Sequence, residues 1–167
     1  EDFQEFVRSE SVPVPESVSK AILSRIYKDL NPSPWIIFIK LLGIHAVVGT
    51  LSLAICNQFG INPFSTEFSL SDYFMKFGHS TCMFLCGVLF VGSSLFVSKS
   101  LLRPEEFVVL RRNSWLQVFG LSMVSLGIFS AFGAEIALTI GILWVLGAML
   151  GGLAMTRLPQ RFIFRSA

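Results

Sequence analysis

The stretch that decides the fold lies at residues 79–99 and reads HSTCMFLCGVLFVGSSLFVSK. It carries no Asp, Glu or Arg, and its first lysine is Lys99 at the very end. A helix needs about 20 consecutive apolar residues to cross the hydrocarbon core of a bilayer. We therefore predict that this stretch forms the main part of a membrane-spanning helix over residues 70–98.

The composition of the whole chain agrees with a membrane protein. The chain has 167 residues, of which 53% are hydrophobic and only 14% are charged, and its mean hydropathy is +0.67. Soluble domains are nearer a quarter charged. The net charge of +2, without a run of basic residues, does not indicate a nucleic-acid partner.

Three further apolar segments accompany the first one. The predicted spanning helices cover residues 35–58, 70–98, 104–133 and 135–156. We therefore predict an all-α fold, an integral membrane four-helix bundle over residues 35–157, with the lipid bilayer as its surroundings. Residues 1–34 form a cytoplasmic arm with a short amphipathic helix, and residues 158–167 form a tail.

The distribution of cations predicts the orientation of the bundle. Twelve of the 13 Lys and Arg residues fall on one side of the predicted helices, which leaves only Lys76 on the other. The loops on that other side carry Glu67, Asp72 and Glu135 instead. Because loops rich in Lys and Arg stay in the cytoplasm, we expect a multi-pass protein of the bacterial inner membrane with both termini cytoplasmic.

The arm contains a four-residue apolar period. Val18, Ile22, Ile26 and Leu30 recur at this spacing after Pro15, which suits the first position of a helix. Such a helix either lies on the cytoplasmic membrane surface or offers these four residues to a protein partner.

The segment quoted above carries His79, Cys82 and Cys86 on one helical face. Imidazole and thiolate are good ligands for zinc or copper, and Cys56, at the outer end of the first helix, is expected to lie near Cys82. These four residues predict a metal site or a disulfide in the outer leaflet. The alternative is packing, since cysteine is readily buried as a small apolar residue and the spacing is not that of a standard zinc site. No bound cofactor is the leading expectation.

His45 lies in the first predicted helix. It is 13 residues before Gln58, and that residue is expected at the depth of His79. The resulting axial separation of the two histidines, about 20 Å at 1.5 Å per residue, is too long for one haem iron to bridge. We predict instead that His45 hydrogen-bonds a Ser, a Thr or a backbone carbonyl across the bundle.

Gly147 and Gly151 form a GxxxG pair in the fourth helix. Small residues allow two helix backbones to approach closely in a membrane. The pair predicts either packing within the bundle or a homo-oligomer through the fourth helix. We find no HExxH motif, Ser/His/Asp set or phosphate-binding glycine loop, and therefore do not expect an enzyme.

The arm also supports a resemblance. Residues 12–18, VPVPESV, and residues 22–26, ILSRI, precede a spanning helix directly, and this order resembles the juxtamembrane region of bacterial membrane-bound anti-sigma factors. The resemblance implies an arm that binds a sigma factor and membrane helices that anchor it or sense a signal. The leading prediction is therefore a non-enzymatic membrane-anchored regulator or adaptor with a cytoplasmic or membrane protein partner. The alternatives are a metal- or redox-linked membrane subunit with copper, zinc or haem, or an accessory subunit of a larger membrane complex.

Overall fold

The computed structural model describes residues 15–61, 63–64 and 69–158. Residues 12–14 of the stretch VPVPESV, the acidic loop residue Glu67 and most of the predicted tail lie outside these ranges. The chain divides into two compact units, Glu1–Asn31 and Pro32–Ala167. Within the described ranges the secondary structure is helical and no β-strand occurs, apart from an isolated bridge between Gln58 and Ile61.

The first unit contains one described helix, α1, which covers Glu16–Leu30. It begins after Pro15 and ends at Asn31, which Pro32 follows. No residue of α1 is buried. An ion pair between Lys20 and Glu16, 3.1 Å long and one turn apart, lies on its exposed surface and contributes little because water screens it.

The second unit is built from four long helices: α2 (Pro34–Leu53), α4 (His79–Leu101), α6 (Ser114–Ala131) and α7 (Leu138–Arg157). Two short helices join them, α3 (Leu70–Met75) and α5 (Pro104–Arg112). Four helices of the described chain are long and apolar enough to cross a membrane, the first within the helical stretch Glu16–Leu53. The prediction of an all-helical chain with four such helices is confirmed.

Two of the predicted helices are each divided in two. The helix predicted over 70–98 breaks at Gly78, whose φ of 97° lies in the left-handed region that favours glycine. The helix predicted over 104–133 breaks at Asn113, whose side-chain amide donates to the carbonyl oxygen of Val109. Asparagine competes in this way with the regular helical hydrogen bonds. The first long helix also stops at Leu53, five residues earlier than predicted.

The closest helix pair is α4 and α7, which meet backbone to backbone through glycines. Gly147 lies against the carbonyl of Phe84, and Gly151 against the backbone of Val88. Gly87 on α4 lies in the same way against the carbonyl of Trp144. In the described bundle, the predicted pair Gly147 and Gly151 therefore packs against α4 of its own chain, which is the first of the two alternatives stated for it.

We call the end of the bundle where α2 ends and α4 begins the cysteine end, and the opposite end the cation-rich end. At the cation-rich end, Lys40 on α2 donates to the carboxylate of Glu106 on α5. Lys99 is buried there, and its ammonium donates to the carbonyl oxygen of Leu158 at 3.1 Å. These contacts fix the ends of the helices on the side where the sequence places most cations.

Candidate thiol site and lateral cavity

The three cysteines converge at the cysteine end. Cys56 lies three residues beyond α2, and Cys82 and Cys86 lie one turn apart on α4. The sulfur of Cys86 is 2.9 Å from that of Cys56 and 3.9 Å from that of Cys82. All three side chains are buried and all three are free thiols.

A series of hydrogen bonds holds this cluster in place. The indole N–H of Trp144 on α7 donates to the side-chain oxygen of Gln58 at 2.8 Å. The amide nitrogen of Gln58 lies 3.7 Å from the sulfur of Cys56. On the other side, the thiol of Cys82 donates to the carbonyl of Ser71 on α3 at 3.5 Å. The cluster therefore connects α7, the turn after α2, α4 and α3.

His79, the fourth residue of the predicted metal site, is exposed at the first position of α4. Among the described residues no group of three or more His, Cys, Asp or Glu is arranged to hold a metal ion. When two sulfurs bind the same zinc ion at about 2.3 Å each in tetrahedral geometry, they stand nearly 4 Å apart. The sulfurs of Cys56 and Cys86 are closer together than that. The distance between Cys56 and Cys86 is therefore that of a pair of thiols, and the predicted metal site stays a prediction.

Two facing thiols at this distance have one characteristic reaction. A disulfide requires the sulfurs to be about 2.0 Å apart, which is less than 1 Å shorter than the separation of Cys56 and Cys86. Cys82 and Cys86 lie on the same helix, so a disulfide between them would link only two consecutive turns of α4. Cys56 and Cys86 belong to different elements and have the shortest sulfur–sulfur distance given above, so their disulfide would join the turn after α2 to α4. The sequence predicts Cys56 near Cys82, and in the structure both lie in one cluster in which Cys86 is 2.9 Å from Cys56.

His45 lies at the centre of the second unit and joins three helices. Its Nδ1 is 2.7 Å from the hydroxyl of Ser94 on α4, and its Nε2 is 2.8 Å from the hydroxyl of Ser125 on α6. The ring stands edge-on to Phe90, with 4.9 Å between centroids. The prediction that His45 bonds a polar group across the bundle is confirmed.

A lateral cavity of about 380 Å³ opens beside His45. This size is in the range of small-molecule sites. Its walls are largely apolar, apart from His45, Thr50 and Ser125, and the other lining residues come from α2, α4, α6 and the loop after α2: Ala46, Gly49, Leu53, Ile61, Pro63, Phe90, Ile128, Phe129 and Phe132. The lining residue Phe90 is one helical turn from Cys86, and Leu53 is three residues before Cys56. Nothing in the sequence alone pointed to this cavity.

The four residues predicted to bind a partner lie on α1, in the other unit. Val18, Ile22, Ile26 and Leu30 are 45%, 52%, 47% and 55% exposed. No residue of α1 is buried, so the exposure of these four does not distinguish them from the rest of the helix. Because they recur every fourth residue, we call them the apolar stripe on α1.

No protein-family model, no curated protein and no solved structure matches this chain. Its function is therefore argued from its own residues.

Proposed function

We propose that this protein is a redox-responsive membrane regulator. Cys56 and Cys86 form the redox pair, and the stripe on α1 binds a cytoplasmic protein. The observation that carries the proposal is the 2.9 Å separation of the two sulfurs, which belong to different elements at one end of the bundle.

The distribution of charge supports this assignment of the two ends. Lys40, Lys99, Arg103, Arg111 and Arg112 belong to the cation-rich end, and Lys76 follows α3 at the cysteine end. By the positive-inside rule the cation-rich end faces the cytoplasm. The cysteine pair then faces the opposite compartment, and in bacteria that compartment is oxidising enough for disulfides to persist.

The proposed reaction is thiol–disulfide exchange with a small-molecule disulfide of the glutathione type. The thiolate of Cys56 attacks one sulfur of that molecule, which breaks its S–S bond and releases one small thiol. The thiolate of Cys86 then attacks the resulting mixed disulfide at Cys56 and releases the second small thiol. Two protein thiols and one small disulfide become one protein disulfide and two small thiols, so atoms and electrons balance.

Because the pair is buried, the exchange requires the turn after α2 to open. The turn contains the left-handed residue Phe59, with φ of 49°, and the β-type pairing seen in its described part is the bridge between Gln58 and Ile61. The disulfide would fix the turn to α4. We propose that formation of this disulfide is the signal that the regulator senses. The signal would reach α1 through α2, because α2 follows α1 in the chain.

Counting free thiols tests the redox pair. The full chain in lipid nanodiscs is treated with oxidised glutathione, denatured and labelled with a maleimide reagent, and its intact mass is measured. The wild type should fall from three labelled thiols to one, with loss of two hydrogen atoms. Cys82→Ser should fall from two to none, whereas Cys56→Ser and Cys86→Ser should form no internal disulfide. Three labelled thiols in the oxidised wild type, or failure of Cys82→Ser to oxidise, would overturn the pair.

We propose that the apolar stripe on α1 is the surface that binds the partner, and we call this binding the output side of the proposal. An amphipathic helix that keeps its apolar residues at i, i+4 and i+8 suits a hydrophobic groove on a partner protein. By the resemblance of the arm to anti-sigma factors, we propose a sigma-factor-like partner. The alternative occupant is the lipid surface, which takes up helices of the same pattern.

A pair of matched variants separates these two occupants. The full chain, Ile22→Asp and the control Ser24→Asp are purified from the native membrane in mild detergent. A stoichiometric cytoplasmic protein should accompany the wild type and Ser24→Asp and be lost from Ile22→Asp. If the same proteins accompany all three chains, or if the isolated α1 peptide binds vesicles of anionic lipid and no protein accompanies the full chain, the output side of the proposal is wrong.

A further inference from the structure

The lateral cavity carries an inference that goes beyond the regulator proposal and does not depend on it. His45 and Ser125 form one polar patch in the apolar wall; Thr50 also lines the space, and its hydroxyl donates to the carbonyl oxygen of Ala46. The hydrogen bonds of this patch can be counted. The count decides which kind of ligand the patch favours.

Four hydrogen-bond contacts meet around His45. The ring contacts the hydroxyls of Ser94 and Ser125. Each hydroxyl also lies within hydrogen-bond distance of a carbonyl oxygen of its own helix, Phe90 O at 3.1 Å for Ser94 and Leu121 O at 2.8 Å for Ser125. Each contact needs one proton, so the complete set needs four.

The neutral form of the network supplies only three protons. Each serine hydroxyl contributes one and the neutral imidazole contributes one. The fourth would make the ring a cation, and a buried cation is costly unless a carboxylate faces it. The partners of this ring are two serine hydroxyls. The patch is therefore rich in acceptors and short of donors.

Ser125 keeps a free acceptor site in either tautomer of His45. If Nε2 carries the proton, the oxygen of Ser125 uses one of its two lone pairs; if Nδ1 carries it, Ser125 donates to the ring and both lone pairs are free. In neither case does Ser125 have a proton to spare for a ligand. A ligand that donates a hydrogen bond is satisfied here, while a carbonyl or an ether is not.

We propose that the cavity binds a membrane-soluble molecule with an apolar ring and one hydroxyl group, which donates to the oxygen of Ser125. Three phenylalanines among the lining residues, Phe90, Phe129 and Phe132, favour a ring over a simple chain, because aromatic faces and edges pack well against planar groups. The class comprises phenols and other ring-bearing alcohols.

Photolabelling with a matched pair of probes tests the proposal. An alkylphenol that carries a diazirine and its methyl ether are added to the full chain in nanodiscs, and crosslinks are mapped by mass spectrometry. The phenol should label Leu53, Ile128 or Phe129 about two- to tenfold more than the ether, the factor that one hydrogen bond contributes. Equal labelling by the two probes would overturn the proposal.

Three variants make this result specific to the cavity. Ala46→Phe fills the space from α2 and should abolish the excess labelling, whereas Val47→Phe, at an exposed position of the same helix that does not line the cavity, should leave it unchanged. Ser125→Ala should reduce phenol labelling to the level of the ether without changing the ether itself. An equal effect of both phenylalanine variants would show partition into lipid only and overturn the site.

Competition distinguishes a ring from a chain. An unlabelled phenol should displace the probe, and an unlabelled long-chain alcohol should displace it less. Equal displacement by the two would overturn the assignment of a ring-bearing ligand.

Discussion

The indole N–H of Trp144 donates a 2.8 Å hydrogen bond to the side-chain oxygen of Gln58, 86 residues earlier in the chain. Both side chains are almost fully buried. A residue from the core of α7 thereby holds the turn that carries Cys56. The position of the thiol pair depends on this contact as well as on α2 and α4.

We expect Trp144→Phe to lower the stability of the bundle by about 1–3 kcal/mol, because it leaves the buried oxygen of Gln58 without its donor. Thermal unfolding in detergent, followed by circular dichroism, measures the change. The control is Trp115→Phe, at a position that is 63% exposed. Equal unfolding temperatures for the two variants would show that the hydrogen bond contributes nothing.

Gly147→Ala should destabilise the bundle by about 1–3 kcal/mol or more, since the added Cβ would overlap with the carbonyl of Phe84 and force two helix backbones apart. Gly127→Ala is the matched control, because a Cβ at Gly127 meets no atom within 4 Å. That variant should be neutral or slightly stabilising, as alanine is the better helix former. The unfolding temperatures of both chains check the prediction, which fails if Gly147→Ala behaves like Gly127→Ala.

The contact between Lys40 and Glu106 should make stability depend on pH. The ammonium of Lys40 holds the pKa of Glu106 below its usual range, and the backbone N–H of Arg103 adds to this effect while burial opposes it. A carboxyl group whose pKa is lower in the folded state stabilises the protein above its ordinary pKa, about 4.3. This stabilisation is lost as the pH falls through the lower, folded pKa.

Glu106→Gln should therefore unfold at a lower temperature than the wild type at pH 7, and the two chains should converge in acid. Because Lys40 is half exposed, the difference at pH 7 is expected to be about 1 kcal/mol or less. The neighbouring variant Glu105→Gln serves as the control. A difference that stays constant between pH 7 and pH 3 would contradict the assigned role of the charge.

His45→Leu should cost about 1–2 kcal/mol, since it removes the hydrogen bonds that join α2 to α4 and α6. The cost is moderate because both serines keep the carbonyl oxygens of their own helices as partners, and hydrogen bonds between membrane helices average well under 1 kcal/mol. Thr50→Val is the control, as the hydroxyl of Thr50 donates to the carbonyl oxygen of Ala46 within its own helix, α2. A loss no larger than that of Thr50→Val would show that His45 does not hold the helices together.

Much of the fold could be predicted from the sequence because membrane helices are long apolar runs. The four long apolar helices and the hydrogen bonding of His45 follow from length, hydropathy and the cost of an unsatisfied polar group in apolar surroundings. The breaks at Gly78 and Asn113 were missed, because both residues also occur within helices and only the surrounding structure decides. Lys99 lies just past the predicted helix over residues 70–98, and its burial against the carbonyl of Leu158 does not follow from the sequence.

The candidate sites depend on which helices are neighbours, and the sequence does not determine this. The face shared by Cys82 and Cys86 follows from helical spacing, whereas the position of Cys56 depends on the early end of α2 at Leu53. The contact of Gly87 with Trp144 also requires α4 and α7 to be adjacent. The cavity likewise exists only because α2 and α6 are held apart beside Phe90.

The glycine contact between α4 and α7 also has a mechanical consequence. Backbone atoms meet directly in this contact, so no side-chain rotamer can change to let the two helices shift. We therefore expect α4 and α7 to move as one rigid unit. α2 is held by side-chain contacts instead, from Lys40 near one end and from His45 in the middle, so we expect it to shift more easily than α4 or α7. A molecule in the cavity would contact α2, which lines it. Cys56 lies three residues beyond the end of that helix. We therefore expect occupancy of the cavity to change the gap between the two sulfurs.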